Sequence, residues 1–485
     1  MLYHYISNET LVLEQLAALI SDDTKLKLSE EAIVNIRRCH KFLDEKVRQN
    51  TKRLQELLDS SFFNPDGQLK EGEVSIMQQD LLRHYACGIG ERLPSRIVKI
   101  MLFLKIQSFS YGFSGVRREL VQRLIDFYNH GVYPVVYSKE IPDERIALAH
   151  LSLPIFGEGE VCINHKVYSA SELEARYGWK PLPLAIREAD ALLNGTQLTT
   201  AYSAYNLIRV LGLLPIADFV ASVSTQVFGG NLSAFSEQMQ IAHPHKGQVE
   251  TATALRRWLK NGGLDTVPTD LNAMPEAFSS IPQIHGAVKD TMTHVRKLIK
   301  TEMNSATDNP LLFPESEDII LGGNSHTLPL SLGMDFLCIA LTSLGNIAER
   351  RVFYLLSNTD KNADDELDYS IFQRIIESIL NENRRLSTPA SIESPILFEK
   401  AIDIKGMGGS AAVKCHQVIR NVEKILAIEL ILAASIWKKK NIAYHSDPLN
   451  EYFAFMETSG EKRTLKREIE QTIQFFTTYG LSDRS

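Results

Sequence analysis

The chain has no excess of basic residues. Its 52 Lys and Arg face 59 Asp and Glu, for a formal charge of −7 and a pI near 6.0. That excludes the electrostatic footprint of a nucleic-acid binder or of a protein held on an anionic membrane. Cysteine is scarce. The five residues Cys39, Cys87, Cys162, Cys338 and Cys415 are scattered and form no Cys-x-x-Cys pair, so neither a disulfide framework nor a zinc site is indicated, and the compartment is expected to be reducing. Long apolar runs are missing too: the longest, ILAIELILAASIW from Ile425, is interrupted by Glu429 and is too short to cross a bilayer. The start, MLYHYISNETLVLEQ, lacks a basic stretch followed by an apolar one, so no secretory signal is read there. A cytoplasmic protein with a small-molecule or protein ligand, and with no resident metal, is the expectation.

Glycine and proline are sparse as well, 27 and 18 in 485 residues, which leaves few turns for a long chain and points to long helices. Helical patterning runs from Ser29 to about Leu58, and FNPDGQLKEGE then reads as a turn. It resumes near Ile76. RIVKIMLFLKIQSFSYGF and RRELVQRLIDFYNHG carry apolar residues three and four apart, the second closing on Gly131. GEVCINHKVYS alternates about a central Asn-His and predicts a hairpin. Beyond Pro183 come four helical segments with broad apolar faces: LAIREADALLNGTQLTTAYSAYNLIRVLGLL, IHGAVKDTMTHVRKLIKTEMNS, LPLSLGMDFLCIALTSLGNIAERRVFYLL and AAVKCHQVIRNVEKILAIELILAASIW. The fold class is therefore all-α, a bundle of long helices with a small mixed N-terminal region, divided into a domain over 1–190 and a helical oligomerisation core over 191–485.

Four stretches are unusually polar for helix ends: FSGVRRE (113–119), LLNGTQ (192–197), EMNSATDNPL (302–311) and GGNSH (322–326). Taken singly, each reads as capping chemistry. Together with HGVYPVV, LAHLSLPIFGEGE, IPQIHGAVKD, GNIAERR and VEKILAIEL, in that order and spacing from about Gln79 to about Ala434, they resemble the aromatic amino acid ammonia-lyases and aminomutases. The resemblance implies a homotetramer of long helices. It also implies methylidene-imidazolone, an electrophile cyclised from an Ala-Ser-Gly tripeptide, in which Gly lets the backbone double back and Ser supplies the eliminated hydroxyl.

In the family that tripeptide lies between the blocks resembling GVYPVV and LAHLSL. Here the interval reads YSKEIPDERIA, with no glycine, and with one serine, Ser138, followed by Lys139. Pro142, Asp143, Glu144 and Arg145 read instead as a helix start, with proline at the first position and carboxylates on the positive end of the dipole. Other family positions also depart. The region of the family's base Tyr holds QNTKRLQELLDSSFF, and the block with its second Tyr and its carboxylate-gripping Arg is EAFSSIPQ, giving Phe278 or Glu276. The acid's position falls at Ile402 with Asp403 beside it, and Tyr85 stands where the family has His, leaving His84 one place earlier. Asn194 and Gln197 of LLNGTQ, and Asn324, Ser325 and His326 of GGNSH, keep the polar character of the site.

The first expectation is a catalytically degenerate member without methylidene-imidazolone, a scaffold or aromatic-ligand binder that forms a homotetramer or assembles with an active paralogue. The second is a cofactor-free enzyme on an aromatic substrate, with Glu276, His84, Tyr85, His326 and Asp403 as acid–base groups. The third is a histidine, tyrosine or phenylalanine ammonia-lyase. Convergence of these residues is the structural discriminator.

Overall fold

In a computed structural model, the helices anticipated from apolar periodicity form, with bounds set by local chemistry. The structure describes all residues except 1, 22–23, 50–71, 139–141, 231, 260–273, 358–369, 395–403, 443–446, 458–463 and 479–485. The Glu30–Gln49 helix opens on Ser29, whose Oγ accepts from the Ala32 N–H at 3.1 Å, with Glu30 and Glu31 in its first turn and Lys46 and Arg48 in its last. Both charge placements suit the helix dipole. The Arg118–Asn129 helix ends as read, Gly131 taking the left-handed conformation (φ 63°) just past it.

The hairpin is present. Glu160–Ile163 pairs antiparallel with Lys166–Ser169, and the Asn164-His165 turn between them has positive φ at both residues (48° and 67°), as a two-residue hairpin turn demands. Tyr133–Pro134 adds a third strand to this sheet. Two small sheets were not anticipated: a parallel pair, Tyr3–Ile6 with Lys25–Leu28, and a second hairpin, Leu311–Phe313 with Asp318–Ile320. These strands are three or four residues long, too short to show alternation.

The chain forms two units. The first comprises 1–205, 297–332 and 390–413, and the second 206–296, 333–389 and 414–485. The boundary expected at 190 thus lies inside the first unit, and later segments return to it, a pattern that linear composition does not reveal. In the first unit the Ser95–Ser110 helix is buried on every face from Ile97 onward except at Lys99, and it carries Lys105 inside. Cys39, Phe42, Leu43, Ile186 and Leu312 pack in one core cluster there, and burial pushes the Cys39 thiol up to about 12, so it acts as a small hydrophobe. All five cysteines are free, Cys87 alone being exposed.

In the second unit a buried polar chain threads the core. Lys289 Nζ donates to Asp218 Oδ2 (2.5 Å), Asp218 Oδ1 meets His285 Nδ1 (2.8 Å), and Arg351 makes a two-pronged contact with Glu429 (2.6 and 2.9 Å). Ser224 Oγ donates to the same Glu429 at 2.6 Å, and Arg351 Nη1 lies 3.5 Å from His285 Nε2. Two segments, Glu188–Phe228 and Leu328–Ser357, are long and apolar enough by composition to cross a membrane, contrary to the reading that none is. Their apolar windows are 72% and 61% buried within the protein, as expected of core helices.

Candidate active site

The helix expected after residue 183 is broken where the sequence is most polar. Glu188–Leu193 and Gln197–Phe228 are separate helices, and Asn194 between them is extended (φ −88°, ψ 138°). The break is held by side chains. Asn194 Nδ2 donates to the Asn309 carbonyl (2.8 Å), Gln197 Nε2 to Thr307 Oγ1 (3.3 Å), and Asn324 Nδ2 to the carbonyls of Ala306 (2.7 Å) and Asp308 (3.0 Å). Three residues chosen from sequence therefore converge on the 306–309 segment, Asn194 and Asn324 on its carbonyls and Gln197 on the Thr307 hydroxyl. Beneath them Lys105 Nζ donates to the Asn194 carbonyl (2.6 Å), and burial holds its ammonium down at about 8. Arg187 and Asp308, both buried, pair at 3.1 Å.

A second group forms at the Glu144–Ser152 helix. Asp143 is its N-cap, accepting from the Arg145 N–H (2.9 Å) and the Ile146 N–H (3.2 Å), and Lys405 Nζ reaches its other oxygen at 2.5 Å. Pro142 precedes the cap and does not occupy the first helical position, so the expected order is shifted by one role: Asp143 caps and Glu144 opens the helix. Glu144 extends to the next helix start, accepting from the N–H groups of Leu198 (2.9 Å) and Thr199 (2.8 Å). One carboxylate thus caps the Gln197–Phe228 helix three residues beyond Asn194. Burial outweighs those bonds and pushes its carboxyl up to about 7.

The segment leading into this helix is gripped by backbone approach. A Cβ on Gly88 would lie 1.7 Å from the Tyr137 carbonyl oxygen, and one on Gly409 2.1 Å from that of Pro142. Gly88 N also donates to His150 Nε2 at 3.0 Å. Only glycine permits either contact. Ser138 is fully buried, its Oγ 3.4 Å from the Asp143 carbonyl.

Tyr85 and Arg145 meet. The guanidinium donates to the phenol oxygen at 3.0 Å and lies over the ring, 5.4 Å from its centroid. His84 is exposed and packs edge-on to Tyr85. His326 is exposed and its Nδ1 accepts from Leu328 N (3.3 Å), at the start of the Leu328–Ser357 helix, with Ser325 half-buried before it. Glu276 and Phe278 belong to the second unit. Glu276 is exposed, whereas Phe278 is fully buried and stacked on Phe228 with centroids 4.3 Å apart, a core position. Asp403 and Ile402 lie outside the described residues, as does most of QNTKRLQELLDSSFF. Sequence reasoning passed over Lys105, Lys405 and Asp308. Lys105 had a signal, a lone cation in the apolar run IMLFLKI.

Residues 11–454 match the family model of the aromatic amino acid lyases. The chain belongs to the aromatic amino acid lyase family. It is 34% identical over 436 residues to a histidine ammonia-lyase of Symbiobacterium thermophilum, covering 87% of this chain and 86% of that one. A histidine ammonia-lyase of Shouchella clausii is 31% identical over 492 residues, 98% of each chain. The crystal structure of histidine ammonia-lyase from Trypanosoma cruzi superposes with a TM-score of 0.88 at 26% identity, covering 100% of this chain and 94% of that one.

These relatives correct two expectations for this lyase-family chain. The degenerate scaffold gives way, because curated relatives matching most of the chain carry the name of an enzyme, and nothing among the described residues shows catalytic loss. The expected absence of methylidene-imidazolone falls with it, since the same relatives imply the group. The chain's own residues from Tyr137 to Ala147 remain a poor fit to that group, having no Ala-Ser-Gly and only Ser138 as an aliphatic hydroxyl. The glycine grip on Tyr137 and Pro142 marks where its backbone is held.

Proposed function

We propose that this chain is a cytoplasmic carbon–nitrogen lyase that releases ammonia from an aromatic amino acid, with histidine the first substrate to test. The observation that carries the reading is the match of nearly the whole chain to histidine ammonia-lyases, with the Asn194 loop intact and braced within the first unit. Asn194, Gln197 and Asn324 are the binding residues, fixed against 306–309. Glu144 is suited to hold or release a proton near neutrality, because a carboxyl raised to about 7 is matched to the pH at which it would work. Arg145, seated on Tyr85, supplies a cation for a substrate carboxylate.

Assembly as a homotetramer belongs to the same proposal. Leu328, Leu332, Phe336 and Ile339 are exposed large apolar residues three or four apart on one helix, an apolar stripe of the kind subunits cover. The purified protein is expected to release ammonia from L-histidine, L-phenylalanine or L-tyrosine with matching formation of the arylacrylate, and Asn194→Ala to lower kcat by about a hundredfold. Failure of all three substrates to react above buffer would overturn the reading.

A further inference from the structure

The second unit contains a cavity of about 510 Å³ between residues of the Gln197–Phe228, Lys246–Leu259 and Ile281–Met303 helices. That size lies within the range of small-ligand sites. Leu214, Trp258 and Met292 give it apolar walls. Its lining holds two carboxylates and two cations: Asp218, which accepts from Lys289, and Glu250 and Arg257, separate positions on the Lys246–Leu259 helix, Glu250 also lying 3.9 Å from Lys246. Pro215 also lines it. A proline inside a helix brings no N–H, so the carbonyl of Leu211, four residues earlier and likewise in the lining, has no helical donor.

The Asp218–Lys289 pair is held from behind. Its carboxylate bonds the buried His285, which abuts Arg351, itself locked on Glu429, so the charged floor is fixed before any ligand arrives. At the other end the Arg257 guanidinium lies over Trp258, 5.8 Å from the ring centroid. Such a site disfavours a ligand with one net charge, which would unbalance the equal numbers of carboxylates and cations in the lining. It suits a ligand carrying both charges a few bonds apart with an apolar tail: carboxylate toward Lys289 and Arg257, ammonium toward Asp218 and the Leu211 carbonyl, tail against Trp258 and Met292.

We propose that this cavity binds an α-amino acid zwitterion with an apolar side chain, as a site apart from the Asn194 loop, which belongs to the first unit. The inference goes beyond the proposed lyase activity and does not depend on it. L-leucine is the probe because it has no aromatic ring for the lyase reaction, and isopentylamine and 4-methylpentanoate are its single-charge analogues. With the intact assembly, calorimetry should show saturable L-leucine binding, and hydrogen exchange should slow in 246–259. Each analogue should bind about tenfold or more weakly. Ala254→Phe, which fills the cavity, should abolish binding, and the surface change Arg257→Ala should weaken it. No saturable binding, equal binding of the analogues, or L-leucine binding unchanged in folded Ala254→Phe would overturn the proposal.

Discussion

Two buried carboxylates in this molecule are answered in opposite ways. Glu429, in the second unit, faces the guanidinium of Arg351 and the Ser224 hydroxyl. Glu144, in the first, is hydrogen-bonded to the backbone N–H groups of Leu198 and Thr199. A full opposite charge meets a buried carboxylate directly and serves the core. Backbone dipoles satisfy geometry without cancelling charge, and burial then leaves the Glu144 proton labile near neutral pH. The difference separates a carboxylate matched by a full charge from one whose burial raises its carboxyl to about 7.

Breaking the first arrangement should cost most. Arg351→Met strands the Glu429 carboxylate in the core and should destabilise the protein by about 3–5 kcal/mol, whereas adding Glu429→Leu should recover much of the loss. Chemical denaturation of the single and double variants measures both. Equal loss in the two would show that packing around Arg351, and not the stranded charge, matters.

Glu144→Ala comes next, at about 1–3 kcal/mol, because it removes the acceptor for two helix-start N–H groups. The pH dependence sharpens the contrast. The folded carboxyl titrates above the ordinary value of 4.5, so the native state binds more protons than the unfolded one between there and about 7. Its contribution to stability is therefore fully present below pH 4.5 and is lost as pH rises to about 7. Glu144→Gln should flatten the profile in that window. Asp143→Ala should be the mildest, about 0.5–1 kcal/mol for a lost N-cap, with its Lys405 contact adding little in a half-exposed setting. A larger loss at Asp143 than at Glu144 would reverse the assigned roles.

The helices were legible because their apolar periodicity runs for many turns, and Asn164-His165 was legible because a turn between alternating strands has few residue choices. The polar loop at Asn194 was read as helix-end chemistry and as a candidate site, yet within a segment taken as one continuous helix. Its break depends on Lys105, Thr307 and Asn309, contacts about a hundred residues distant, which no local pattern encodes. Asp143 was rightly read as capping chemistry, yet the reach of Glu144 to a second helix start could not be seen, because it joins residues 54 and 55 positions apart. Reading departures from a family's catalytic blocks as loss of function went too far: substituted positions show what a chain lacks, whereas relatives matching 87% and 98% of this one carry the name of an enzyme.

Whether this lyase-family chain cleaves a carbon–nitrogen bond of an aromatic amino acid is decided by NMR of the intact protein with L-histidine, then L-phenylalanine and L-tyrosine. Vinylic protons of an arylacrylate should appear in step with ammonium for at least one of them, and disappear in Asn194→Ala. Unchanged spectra for all three, from folded protein over many hours, would contradict the proposed lyase activity.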